Sequence, residues 1–291
     1  ISQLLSSKMV RYFTPAILLG TIASFWYLKS KKKRSQSKKK LGHSVWGHCA
    51  LQGRRPNMED RHVATQVSDE EELVGVFDGH SGIGAAEYAA ATLTQNFKTN
   101  KAQTTTEKLI KAFETTDKNF LTGYQFQKDD SGTTAVVAVV NRATKKITIA
   151  HAGDSRALLI RNGREMHATQ DHKPNTPEEK QRIEQAKGQV YYWGCWRVNG
   201  LAVSRSIGDR NHKKVGVIAT PDTYEIDTQK GDIVVLACDG VFDVMSNQEV
   251  VNFVNKKFDQ QENPTSIARA LVSEAYNKNS RDNISALIVQ I

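Results

Sequence analysis

Four acidic stations, spread over more than two hundred residues, each sit at the edge of an apolar run: Met58-Glu59-Asp60, Asp78-Gly79-His80, Asp239-Gly240 and Asp282-Asn283. Val74-Gly75-Val76-Phe77 runs into Asp78, Ile233 through Cys238 runs into Asp239, and Asp282-Asn283 opens the run from Ile284 to Ile291. Short apolar runs bounded by turn residues read as buried strands. A carboxylate at the end of a buried strand is costly to desolvate unless it is paired or holds a cation. The chain therefore needs a fold that brings distant strand ends to one edge. Convergent carboxylates there form a hard-oxygen site suited to Mg²⁺ or Mn²⁺. Asp-Gly is also a common turn, and any one station allows that reading. Four stations with Arg55 and His80 beside them favour the site.

The formal charge of +9 first suggests a nucleic-acid binder, but its distribution argues otherwise. Ten basic residues and no acidic ones fall in residues 1–40, leaving 30 basic against 31 acidic in the remainder. The body is near neutral and has no basic face interleaved with aromatics, so no nucleic-acid partner is expected. Within the basic segment, Tyr12 to Leu28 is uncharged and Lys31-Lys32-Lys33-Arg34 follows closely. As a helix this stretch spans about 25 Å at about 1.5 Å per residue. Most of the charge follows the apolar run and Trp26-Tyr27-Leu28-Lys29 makes a poor cleavage site, which disfavours a secretory signal. The expectation is a single-pass anchor at 12–28 with a basic juxtamembrane segment to residue 40. The body of the chain, 41–291, would then be cytosolic, on the endoplasmic reticulum or mitochondrial outer membrane. Cys49, Cys195 and Cys238 match no disulfide or metal spacing.

After residue 40 the chain alternates strands and helices without repeats. Strands are expected at 45–50, 63–67, 73–77, 133–141, 146–152, 157–160, 223–226, 233–238 and 284–291. The three from 133 to 160 read as a meander. Helices are expected at 85–97, 107–121, 177–186 and 247–258, and from Pro264 to about 276. Strands beside strands, and helices in pairs, argue for an α+β fold of antiparallel sheets covered by helices.

The segments RRPNMED, VGVFDGHSG, SGTTAVVAVV, AHAGDSRALLI, DHKP, LAVSRSIGD, VVLACDGVFDVMS and RDNIS occur in this order between Arg54 and Ser285. The set strongly resembles the metal-dependent protein phosphatases of the 2C type (the PPM family), over about residues 44–291. The resemblance implies a four-layer α-β-β-α sandwich, two antiparallel sheets flanked by helix pairs, acting as a monomeric catalytic domain on phosphorylated proteins. It implies two Mn²⁺ or Mg²⁺ ions at Asp60, Asp78, Gly79, Asp239 and Asp282. Asp78 would bridge the ions, the Gly79 carbonyl would join one, and Asp239 and Asp282 would hold the other. Glu59 and Asp60 would act mostly through metal-bound water. Asp154 and Asp243 match positions for a third, weaker ion. Arg55 matches the phosphate-binding arginine and His80 the general acid. The reaction implied is hydrolysis of phosphoserine or phosphothreonine by a metal-activated bridging hydroxide, with no phosphoenzyme. A docking protein that keeps the fold without activity is the other class; such proteins lose metal carboxylates, and none is missing here.

Open alternatives are an Asp60 pair with Arg54 or Arg61, and a turn-bound Asp154 paired with Arg156. The remaining histidines lack zinc-like spacing. Trp193-Gly194-Cys195-Trp196 reads as a flap beside the cleft. Two positions depart from the family pattern: Ser81, and Lys187 within Ala186-Lys187-Gly188, both where glycine is usual.

Overall fold

The computed structural model describes residues 45–291. β1 (Val45–Leu51), β2 (Arg61–Gln66), β3 (Glu71–Phe77) and β4 (Gly79–His80) lead into helices α1 (Gly84–Thr99) and α2 (Thr105–Thr122). Five strands follow: β5 (Gly132–Thr133), β6 (Ala135–Asn141), β7 (Lys146–Ala152), β8 (Arg156–Arg161) and β9 (Arg164–Ala168). Next come α3 (Pro177–Gln185), the hairpin β10 (Val190–Trp193) and β11 (Cys195–Val198), β12 (Ile207–Gly208), the short α4 (Arg210–Lys213) and β13 (Asp222–Asp227). β14 (Ile233–Ala237), the short α5 (Asp239–Phe242), α6 (Asn247–Asp259), α7 (Pro264–Asn277) and β15 (Ile284–Gln290) complete the chain.

Two antiparallel five-stranded sheets, ordered β1-β15-β14-β8-β9 and β13-β7-β6-β3-β2, form the centre. The inner strands β3, β6, β14 and β15 read as apolar runs because both of their faces are covered. On β3, Val74 and Val76 point into a core shared with Leu159, Leu236 and Leu287 of the other sheet. Leu73 and Phe77 point the opposite way, against Leu93 and Phe97 of α1 and Phe113 of α2. β14 repeats the alternation: Val234 and Leu236 face the other sheet, while Val235 and Ala237 meet Val250 and Val254 of α6 and Leu271 of α7. The period-2 geometry of a strand thus builds three stacked cores and the expected four layers.

Local signals set the helix starts. Thr104 and Glu107 form a capping box at α2, as do Ser246 and Glu249 at α6. Asn263 accepts from the Ser266 N–H with Pro264 in the first turn of α7. α3 ends with the Lys187 N–H on the Glu184 carbonyl and the Gly188 N–H on the Ile183 carbonyl. This termination places Lys187 at φ +61°.

Two expectations about strands need correction. The meander stops after β7: Gly153, at φ +112°, turns the chain, and β8 joins the other sheet beside β14. β9 escaped notice because its exposed edge residues Arg164, Glu165 and Met166 carry no apolar run. The membrane location is also corrected. Among the described residues no helix is long and apolar enough to cross a membrane. The stretch 12–28 assigned to the anchor lies outside them.

Candidate active site

Strand ends from both sheets meet at one edge of the sandwich, around a cavity of about 400 Å³. Asp78 follows β3, Asp154 lies between β7 and β8, Asp239 begins α5 directly after β14, and Asp282 precedes β15. All four line the cavity, together with Arg55, Glu59, Gly79 and His80. Asp60 lies beneath it and is 3% exposed. One carboxylate oxygen each from Asp78, Asp154 and Asp239 falls within 4.8 Å of the others, and Asp60, Asp78 and Cys238 make a second such group.

The loop before β2 is tied to the approach to β15. Asn283 donates to the carbonyls of Gln52 and Asn57 at 2.8 and 2.9 Å and accepts from the Glu59 N–H at 2.8 Å. A Cβ at Gly79 would stand 2.5 Å from the Glu59 carbonyl, so the first two stations pack back to back only with glycine there. The Thr134 N–H and the Thr133 hydroxyl hold the Asp78 carbonyl at 2.9 and 3.0 Å.

Electrostatically this is a carboxylate cluster under strain. Burial, reinforced by Asp239, Asp60, Asp154 and Asp282, pushes the Asp78 carboxyl well above its ordinary value. Burial and then Asp154, Asp243 and Asp282 do the same to Asp239. Burial lifts Asp60 to about 6. Both Asp60 oxygens are buried without a hydrogen-bond partner. Arg61 turns to the Met58 and Asp60 carbonyls and Arg54 to the Tyr276 and Ser280 carbonyls, so neither pairs with the Asp60 carboxylate. Orphaned buried oxygens beside mutually repelling carboxylates, in a donor set that is oxygen apart from the Cys238 sulfur, are what a hard divalent cation satisfies.

Asp154 is not paired with Arg156, whose guanidinium binds Asp171 and Asn247. It receives the ammonium of Lys173 instead. Asp243 is not part of the cavity lining. Burial raises its carboxyl, with Lys173 opposing and Asp154 and Asp282 reinforcing. Arg55 donates to Asp282 Oδ2 at 2.6 Å and is more than half exposed at the cavity rim. His80 Nε2 lies 2.7 Å from Asp209 Oδ2. Burial pulls the His80 imidazole down, but Asp209, with Asp154 and Glu59, outweighs it and leaves the group above its ordinary value. Asp209 was missed from sequence, although it closes the segment LAVSRSIGD.

The expected flap is the hairpin β10–β11, with Tyr192 and Trp193 65% and 73% exposed. Arg197, Gly200 and Leu201 at its base line the cavity. Elsewhere, His151, His172 and Asp222 form a further group of donors. The two rings stack at 4.3 Å and 14°, so their in-plane lone pairs run side by side rather than converging on one ion. His172 also accepts from the Gly153 N–H, which fastens the Asp154 loop to the Lys173 loop.

A family model described as protein phosphatase 2C matches residues 45–284. The chain belongs to the protein phosphatase 2C family. A probable protein phosphatase 2C 59 of Arabidopsis thaliana is 38% identical over 256 residues, covering 86% of this chain and 80% of that protein. A protein phosphatase 1B of Rattus norvegicus is 36% identical, covering 84% of this chain and 69% of its own. Among solved structures, a phosphatase from Toxoplasma gondii matches with a TM-score of 0.78 at 25% identity, covering 86% of this chain and 96% of its own. Membership in the protein phosphatase 2C family makes this chain a protein phosphatase and agrees with the antiparallel α+β architecture. As a family trait it also brings metal dependence, which the acidic cluster fits.

Proposed function

We propose that residues 45–291 form the catalytic domain and hydrolyse phosphoserine and phosphothreonine in proteins at the cavity lined by Asp78, Asp239 and Asp282. The observation that carries this reading is the convergence of buried, mutually repelling carboxylates with unpartnered Asp60 oxygens beside the Arg55 guanidinium. Asp60, Asp78, the Gly79 carbonyl, Asp239 and Asp282 would hold two Mn²⁺ or Mg²⁺ ions, with Glu59 oriented by Asn283. Asp154 and Asp243, with Asp239, would take a third, weaker ion. When bound, such ions supply Lewis-acid charge and lower the pKa of water.

The remaining chemistry belongs to the side chains. Arg55 offers a planar fork at the rim that matches phosphate oxygens. Charge that develops on the transferring phosphoryl group is countered at that fixed position. A serine or threonine alkoxide leaves poorly, so His80 donates a proton to it. A cysteinyl phosphoenzyme has little support: Cys238 is wholly buried and burial pushes its thiol well up. The test is hydrolysis of a phosphoseryl peptide by the full chain with Mn²⁺, compared with Asp239→Asn. Activity that survives EDTA or this substitution sinks the metal-dependent reading.

A further inference from the structure

His80 and Asp209 are 129 residues apart and meet across a three-stranded miniature sheet, β12-β5-β4. β5 lies at its centre. Gly132 pairs with His80 on one side and with Gly208, the residue before Asp209, on the other. A Cβ at Gly132 would stand 2.1 Å from Asp209 Oδ2 and 2.3 Å from His80 Nε2. The two side chains thus touch directly over the one residue that leaves room for them.

Asp209 is held there at a cost. It is 2% exposed and adopts φ +50°, ψ +49°, left-handed backbone that a residue with a Cβ occupies reluctantly. Its surroundings over-determine that conformation. The Asp209 N–H binds the Ser131 carbonyl at 2.9 Å, and the preceding Gly208 N–H binds Asp117 Oδ1 at 2.8 Å. Lys213 reaches the Ser206 carbonyl at 2.7 Å and Asp117 at 2.9 Å. Asp209 precedes a helical turn but its side chain caps nothing. Its Oδ2 accepts from Ser206 Oγ at 2.6 Å and faces His80 Nε2. His212 approaches Oδ1 at 3.9 Å. Strained buried backbone that presents a carboxylate to an imidazole at a cavity marks a functional constraint.

We propose that Asp209 is the positioning residue of phosphoryl transfer: it holds Nε2–H of His80, which leaves Nδ1 to give its proton to the departing serine or threonine oxygen. This rests on the phosphatase reading above. In the step, the bond from a water oxygen to phosphorus forms and the bond from phosphorus to the seryl oxygen breaks. The departing electron pair takes the Nδ1 proton. The imidazole is left neutral with Nε2–H still on Asp209, and the proton lost by the attacking water balances the one donated. Asp209 acts as the orienting carboxylate of a His–Asp pair, and Ser206 fixes its Oδ2.

The test uses the full chain with Mn²⁺ and two substrates, a phosphoseryl peptide and p-nitrophenyl phosphate, whose leaving group departs without a proton. Asp209→Asn is expected to lower kcat on the peptide by about 10- to 100-fold with little change in KM, and to spare the nitrophenyl ester. The double variant with His80→Asn should be no slower than His80→Asn alone. Ser206→Ala, a gentler change, should show the same substrate dependence at smaller amplitude, and guards against misfolding of the Asp209 variant. Equal slowing of both substrates by both variants, or full additivity with His80→Asn, overturns the proposal. A wild-type chain without Mn²⁺-dependent peptide hydrolysis would overturn the phosphatase reading itself.

Discussion

The Arg55 guanidinium donates to Asp282 Oδ2 at 2.6 Å, bridging 227 residues of sequence and joining the phosphate-binding candidate to a candidate metal carboxylate. The pair spans the cavity rim, where Arg55 is 56% and Asp282 26% exposed. The proposed phosphate-binding and metal-binding roles therefore fall to neighbours that already orient each other. Arg55→Ala should lower kcat/KM for a phosphoseryl peptide by about 10²- to 10³-fold, the usual loss for a fixed donor at the transferring group. Steady-state kinetics with and without excess Mn²⁺ check it, and full restoration by Mn²⁺ would argue that Arg55 serves only Asp282.

Asp60 should destabilise the metal-free protein. Its carboxyl titrates near 6 in the fold against 3.8 ordinarily, so the folded state holds its proton more tightly than the unfolded chain. Stability is then lost as pH rises from the unfolded value through the folded one. Asp60→Asn in EDTA should be more stable than wild type at pH 7 by as much as about 3 kcal/mol, the difference closing near pH 4. Denaturant melts of both proteins at the two pH values decide this. With Mn²⁺ present the ranking should reverse.

Lys173 occupies Asp154 and also acts on Asp171 and Asp239, which together hold its ammonium well above its ordinary value despite burial. A protein-borne cation at that position would compete with the proposed third divalent ion. Lys173→Met should tighten the weakest Mn²⁺ site about tenfold or more, by loss of like-charge repulsion. Titration calorimetry or Mn²⁺ electron paramagnetic resonance counts the sites, and unchanged binding would refute the competition.

Glu179 is 3% exposed and binds Arg182, Arg205 and Ser204 at the base of α3. Burial alone would raise its carboxyl, but these partners pull it down to about 2. Its contribution is complete above the unfolded value near 4.5 and fades as pH falls toward 2. Glu179→Gln should cost about 3 kcal/mol near neutrality, because the half-buried Arg182 and Arg205 lose the anion they share. The loss should shrink in melts at low pH.

Lys187 stands at φ +61° where helix terminations favour glycine. Left-handed backbone costs a residue with a Cβ about 1–2 kcal/mol. Glycine returns about 0.5–1 kcal/mol of that through chain entropy. Lys187→Gly should therefore stabilise the protein by about 0.5–1 kcal/mol, read from the chemical denaturation midpoint, with activity unchanged.

Much of this was legible along the chain. Apolar runs reported β3, β14 and β15 because both faces of those strands are covered, and Asn263-Pro264 reported the start of α7 because a cap is a contact over three residues, whereas the capping boxes of Thr104 and Ser246 were read only from the structure. The acidic stations were legible because a carboxylate beside a buried strand needs a partner wherever the chain goes. What escaped notice depends on pairings with no local signature. β8 leaves the meander for the other sheet at Gly153. Asp154 takes Lys173 rather than its near neighbour Arg156. Asp209 reaches His80 only because Gly132 lies between them without a side chain. The sequence by itself determined that strand ends would carry carboxylates, since desolvation cost is local. Only the tertiary structure decided which residues face each carboxylate, since pairing follows sheet register and loop closure.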